Sequence, residues 1–308
     1  MKKISIFLLV IAALVLSTGC GPVAEVPAQP SATATIDPEL LQATPFSGPI
    51  TLDILKNAEY QVQNGMNMVQ LVDGKYEAGS GADYLSVNIL DVVAIGDLNA
   101  DGMDDAGIIL TENYGGTGQF VYLVPVFFID GGAATPSSGL FLGDRVAVNS
   151  MKIEDGKIIL DMLVHAPNDG LCCPSQTMVQ SFRFYWGPGL VLVHAVSGTT
   201  GNTVREINID TPTPGTQVTN QIQVKGRVSI APFENTLLLR IIDVNNTPIY
   251  EGPIMVSAPD MGAPGTFDTL VDISSGLPNP GSIRIEVSEV SMTDGSTLTL
   301  NSVEVTLK

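Results

Sequence analysis

Asp97, Asn99, Asp101 and Asp105 stand at positions 1, 3, 5 and 9 of a loop whose sixth residue is Gly102. Oxygen ligands at alternate positions can all turn inward, and the glycine allows the bend that returns the chain to them; this is calcium-loop spacing. Met103 would add its carbonyl oxygen, and Asp104 would face solvent. An EF-hand also needs a bidentate Glu at position 12, where this chain has Ile108. The flanking runs 90–95 and 107–110 are short and β-branched, so the loop joins strands and not helices. The competing reading is a solvated turn with Asp101-Gly102 at its tip. Against it stands the mutual repulsion of Asp97, Asp101, Asp104 and Asp105, which a cation would relieve. Calcium in a structural role is the candidate cofactor.

The other reactive residues are few. Cys172 and Cys173 are adjacent. Neighbouring Cα atoms lie about 3.8 Å apart, below the usual disulfide span of about 4.4 to 6.8 Å. A vicinal disulfide, a buried reduced pair, and an intermolecular bond or soft-metal site all stand open. His165 and His194 each occupy an apolar L-V-H-A setting, where a packed structural role competes with a catalytic one. No nucleophile elbow, H-E-x-x-H or P-loop occurs. The glycine-rich run 114–118 has no neighbouring Lys and no following helix, so it reads as a loop and not a phosphate cradle. Trp186, before Gly187-Pro188-Gly189, reads as the edge of a core more readily than as a sugar platform.

These residues sit in a chain of 308 residues, long enough for two domains. Its 32 Asp and Glu against 14 Lys and Arg give a formal net charge of -18. Phosphate neutralisation needs clusters of Lys and Arg, so nucleic acid is excluded as a partner. Lys2 and Lys3 precede an apolar run that ends in L-S-T-G-C at Cys20, a secretory signal too short to span a membrane. Residues 20–50 are rich in Pro, Ala, Ser and Thr and read as an extended tether.

The remainder reads as all-β in the main. A short helix is predicted at 51–57, with Thr51 as N-cap and Leu52 and Leu55 facing inward. Strands follow at 68–71 and 75–77 around the Asp73-Gly74 hairpin signal, then at 85–95 and 107–111 around the acidic loop. The run 119–129 contains Pro125, which predicts an edge or a bulge. Strands at 146–153 and 157–164 flank Asp155-Gly156, and 178–185 and 190–196 close a β-rich domain over 51–197. Residues 198–206 read as a linker. From 207 to 308, period-2 alternation at Ile222, Val224, Val228 and Ile230, and at Ile283, Ile285 and Val287, marks about seven strands of a sandwich. The apolar phase moves between Leu300 and Val303, which predicts a bulge near Asn301.

Four resemblances add to this reading. The L-S-T-G-C segment resembles a bacterial lipobox, which implies that residues 1–19 are removed and that Cys20 is lipidated. The acidic loop resembles those of integrin-type FG-GAP repeats over about a dozen residues; one copy does not support a propeller. Residues 51–197 resemble an uncharacterised family of bacterial exported proteins through L-K-N-A-E-Y at 55–60, D-G-K-Y at 73–76, G-D-L-N-A-D-G at 96–102, G-G-T-G-Q-F at 115–120, L-G-D-R-V at 142–146 and C-C-P-S at 172–175. Residues 207–308 resemble the immunoglobulin-like domain of bacterial spore germination proteins through T-P-T-P-G-T-Q-V at 211–218, V-K-G-R-V at 224–228, F-E-N at 233–235, P-G-T-F at 264–267 and D-G at 294–295. That resemblance implies an interaction module without catalytic residues. Together they imply an extracytoplasmic protein, lipid-anchored to a bacterial membrane and non-enzymatic, that binds a protein partner or a cell-wall component. An enzyme of unrecognised type within 51–197 and a purely structural spacer are the alternatives. Convergence of His165 or His194 with Asp or Cys172 around a deep cleft would favour the enzyme.

Overall fold

The computed structural model describes residues 50–62, 66–129, 132–199, 201, 203–274 and 280–308. The signal segment, Cys20 and the tether as far as residue 49 lie outside the described residues; Ile50, read as the end of the tether, is instead fully buried in the core against the first sheet. The described residues fall in one compact unit. They are mostly strand, arranged in several sheets with an immunoglobulin-like domain at the C-terminus.

The one α-helix, α1 (Leu52–Lys56), is capped by Thr51, whose hydroxyl accepts from the Ile54 amide at 3.2 Å. Leu55 is fully buried, but Leu52 is exposed, contrary to the prediction: a helix this short turns only one residue inward. Strands β1 (Glu59–Val62) and β2 (Asn67–Gln70) pair with each other. A six-stranded sheet follows, made of β3 (Lys75–Ala78), β4 (Leu85–Gly96), β5 (Asp105–Asn113), β6 (Phe120–Ile129), β7 (Gly132–Ala134) and β8 (Leu140–Asp144). Asp73 and Gly74 do form a turn, with φ of 51° and 80°. The predicted hairpin across it is reduced to one bridge, Val72 to Lys75, because β2 pairs back onto β1 and β3 pairs forward onto β4. Pro125 lies in an interior strand where the ladder changes partner: residues 120–123 of β6 pair β8 and residues 127–129 pair β7. A residue without an N–H is tolerated in that gap.

A second sheet begins with β9 (Ala147–Glu154), β10 (Lys157–Val164), β11 (Gln176–Tyr185) and β12 (Gly189–Gly198). The first sheet is covered on both sides. On one face α1, β1 and β2 bring Leu55, Tyr60, Val62 and Val69 against Val87, Ile108, Leu110 and Val124. On the other, Ile109, Val121, Leu123 and Phe127 pack against Ile158, Leu160, Met162 and Phe182. This accounts for the unbroken apolar runs of β5 and β6, whose residues are buried on either face.

The expected linker carries structure. Within it β13 (Val204–Arg205) pairs with β12 as a short hairpin. The remaining strands are β14 (Ile207–Thr211), β15 (Gln217–Val218), β16 (Gln221–Val228), β17 (Thr236–Ile242), β18 (Pro248–Ser257), β19 (Gly265–Asp272), β20 (Gly281–Val290) and β21 (Thr297–Leu307). The row β14-β16-β19 faces the row β18-β17-β20-β21. Between them lie Ile222, Val224, Phe267 and Val271 from one side and Leu239, Ile241, Ile285 and Val305 from the other. That is a sandwich held by apolar burial, about 25 cal/mol for each Å² removed from water. The predicted bulge at Asn301 does not occur. Asn301 is in register with Val287, and the shift falls between Glu289 and Val290. The phase changes because Val303, Val305 and Leu307 enter the sandwich core, whereas Leu300 is buried where β21 pairs with β12. At Gly226, a Cβ would meet the Asn208 carbonyl oxygen at 2.1 Å and Phe267 Cζ at 2.3 Å. Gly226→Ala is expected to lower stability by about 1 to 3 kcal/mol through overpacking, measured by urea unfolding.

Candidate functional site

The pairing of β12 with β21 makes one continuous sheet out of two modules. His194 pairs with Asn301 and Ala195 with Leu300. Side chains reinforce the seam: Thr299 Oγ1 donates to the Ala195 carbonyl (2.8 Å), Ser302 Oγ to that of Val193 (2.7 Å), and Asn301 Nδ2 to that of Ile207 (2.9 Å). The Tyr185 hydroxyl donates to the Glu304 carboxylate, and the Arg284 guanidinium lies over the Tyr185 ring, 5.7 Å from its centroid. Burial, then the neighbouring carboxylate, push the Tyr185 phenol up to about 12.

Beside this seam opens a cleft of about 640 Å³. Its walls come from four places that sequence keeps apart: the start of the acidic loop (Asp97, Asn99), the β9–β10 turn (Glu154, Asp155), the end of β11 with Arg183, Tyr185 and Trp186, and Glu304 of β21. Arg183 Nη1 lies 4.0 Å from the Glu304 carboxylate. Trp186 is 64% exposed, against the expectation of a core edge. It stands on a stack, with its ring centroid 5.1 Å from Phe184, edge to face, and 5.5 Å from the fully buried Phe127. An indole held rigidly at a cleft wall by two deeper rings is a preformed contact surface.

The acidic loop is organised by its own amides. Asp97 Oδ1 accepts from the Asn99 and Ala100 amides and Oδ2 from that of Gly102, Asn99 Oδ1 from that of Asp101, and Asp101 Oδ1 from that of Met103. Asp105 is fully buried and anchors the loop, taking the Leu98 amide at 3.0 Å and the Phe128 amide at 3.2 Å. Desolvation raises its pKa, partly offset by those two amides. Among the described residues no three His, Cys, Asp or Glu side chains gather as a metal group. The side-chain oxygens of Asp97, Asn99, Asp101 and Asp105 thus all accept hydrogen bonds, from within the loop or, for Asp105, also from β6.

His165 Nε2 donates to the Asp144 carbonyl (3.0 Å), and His194 lies on β12 at the seam. Among the described residues neither imidazole is hydrogen-bonded to a carboxylate or to Cys172. Cys172 and Cys173 are joined, with Sγ atoms 2.30 Å apart, in an exposed loop. That loop is gathered by Asp169, whose Oδ2 accepts the Ala166 amide (2.7 Å) and the Ser175 amide (2.8 Å) and whose Oδ1 accepts the Ser175 hydroxyl (2.8 Å). The Ala166 amide, then the Ser175 hydroxyl, hold the carboxyl below its ordinary range. A folded-state pKa below the unfolded one stabilises fully above the ordinary carboxylate value and is lost as pH falls through the lowered one. Protection of the Ser175 amide from hydrogen exchange is therefore expected to collapse in that acid window, and in Asp169→Asn to be weak and flat across it.

No curated protein matches the chain. Residues 206–296 match the family described as the immunoglobulin-like domain of bacterial spore germination.

Proposed function

We propose that this chain is a non-catalytic, lipid-anchored surface protein, held outside the cytoplasm of a bacterium by Cys20, that binds a protein partner or a cell-envelope component where its two β modules meet. The observation that carries the reading is the cleft walled by the exposed Trp186 and closed by Glu304 of the sandwich. Pockets of roughly 300 to 1,000 Å³ with a rigid aromatic and a few convergent polar groups are the common form of a ligand site. The immunoglobulin-like match supports a binding role. The two histidines stand on separate elements, and among the described residues neither is hydrogen-bonded to a carboxylate or to Cys172, so the convergence that would favour the enzyme alternative lacks support.

The test is co-sedimentation of the purified soluble form, residues 21–308 without the lipid anchor, with washed envelope fragments of the source bacterium. The wild type is expected to sediment with them and Trp186→Ala to remain in the supernatant while keeping its melting temperature. Equal sedimentation of both proteins would contradict the assignment of the cleft.

A further inference from the structure

The cleft beside the seam holds an imbalance of charge. Four carboxylates, Asp97, Glu154, Asp155 and Glu304, stand in its wall against one cation, Arg183. Two of the four are answered. Lys152 Nζ lies 2.8 Å from the Glu154 carboxylate, with Lys157 directly opposite Glu154 across the turn, and Arg183 Nη1 lies 4.0 Å from the carboxylate of Glu304. Among the described residues the other two have no cation. Asp97 accepts only from the uncharged amides of its own loop, and the Asp155 side chain makes no hydrogen bond or ion pair, although the Asp155 carbonyl accepts from Arg183 Nη2 at 3.4 Å. Amides orient a carboxylate without cancelling its charge. A cleft lined by one sign of charge raises the local concentration of the opposite one.

The fold brings these groups beside the indole. Lys157 pairs with Arg183 across β10 and β11, so the Asp155-Gly156 turn stands beside the end of β11, where Trp186 follows. The acidic loop is seated on the same turn: a Cβ at Gly96 would come 2.9 Å from the Ile153 side chain, and one at Gly156 would come 3.6 Å from the Leu98 carbonyl oxygen. Trp186, propped by Phe184 and Phe127, leaves most of its indole open. A cation within about 6 Å of an aromatic face is attracted to it, most strongly to an indole, and Arg is found there more often than Lys. The Tyr185 ring already has Arg284 over it. Among the described residues no cation lies over Trp186. Polyanionic envelope polymers would meet a chain of net charge -18, whereas a basic segment of a protein complements both that charge and this cleft.

We propose that the occupant of this cleft is a basic segment of a protein partner, which lays an arginine or lysine side chain on Trp186 with its charge answered by Asp155 and Asp97. This rests on the reading of the cleft as the ligand site and selects between the two kinds of partner named there. The soluble form, residues 21–308, is titrated separately with hexa-arginine, hexalysine, spermine and hexaglutamate, followed by calorimetry and by the fluorescence of its single tryptophan. The basic peptides are expected to bind and to move the fluorescence, and the tighter of the two identifies the side chain. Hexaglutamate is expected to do neither. Asp155→Asn, which suits the positive φ of 51° at that position, is expected to weaken binding about threefold, the level of an exposed charge pair. Trp186→Leu, read by calorimetry, is expected to weaken it about threefold through loss of the cation–π contact. Asp260→Asn removes one charge near Met261, on the far side of the sandwich, and is expected to leave binding unchanged. Equal weakening by Asp155→Asn and Asp260→Asn would overturn the site, since any polycation would then be drawn by the acidity of the whole chain. Unchanged affinity in Trp186→Leu would overturn the indole as the platform. Spermine binding as tightly as the peptides, and losing as much in Trp186→Leu, would overturn the protein partner in favour of a free polyamine. No response to any polycation, with Trp186→Ala still failing to sediment with envelope fragments, would overturn the cationic occupant and leave the cleft as the binding site.

Discussion

Replacing Arg205 by alanine is expected to lower the stability of the chain by about 3 to 5 kcal/mol, the usual cost of leaving a buried charge without its partner. Arg205 Nη1 lies 2.6 Å from each oxygen of Glu289, whose side chain is only 8% exposed. The pair ties the β13 hairpin to the end of β20, so it spans the region where the sequence predicts a loose linker. The loss is chiefly that of a stranded carboxylate and not of net attraction. Arg205→Met combined with Glu289→Leu should therefore recover most of it. Urea unfolding of the two variants beside the wild type measures the difference. A single-variant loss below about 1 kcal/mol, the level of an exposed pair, would mean that the hairpin is not fixed by this contact.

The second large effect is expected at Phe127→Ala. Phe127 is fully buried, touches Phe184 at a centroid distance of 4.6 Å and underlies Trp186. Removing a ring from such a core costs about 3 to 5 kcal/mol. Its specific consequence is local, because Trp186 would lose the support that holds it at the cleft. Phe127→Leu, closer in volume, should restore most of the stability and little of the indole order. Stability from urea unfolding and Trp186 fluorescence anisotropy are expected to part company in that variant. If both return together, the stack is only packing.

How far the molecule could be read from its residues depends on how local the signal is. The alternation at Ile222, Val224 and Val228 set β16 with its buried face inward, and the apolar runs 107–111 and 119–129 announced strands without showing that both their faces are covered. Asp73-Gly74 and Asp155-Gly156 each made the expected turn, with positive φ at all four residues. Only the second joins two strands that pair with each other, since turn chemistry does not specify what the chain does next. The acidic loop was found where its spacing put it, between β4 and β5, but the use of its oxygens on loop amides depends on backbone geometry. The cleft was not legible. Trp186 read as a core edge because a lone indole beside a Gly-Pro-Gly turn carries no record of the stack beneath it. His194, Asn301 and Glu304 have meaning only through a β12–β21 pairing that joins residues about a hundred positions apart, and no local pattern encodes that pairing.

The most direct test of the account is hydrogen–deuterium exchange of the full chain with and without washed envelope fragments, read segment by segment. New protection is expected at residues 96–100, 153–157, 183–186 and 304, drawn from both modules and meeting at the cleft. Protection confined to the far side of the sandwich, around the exposed Phe233, Met255 and Met261, would contradict it.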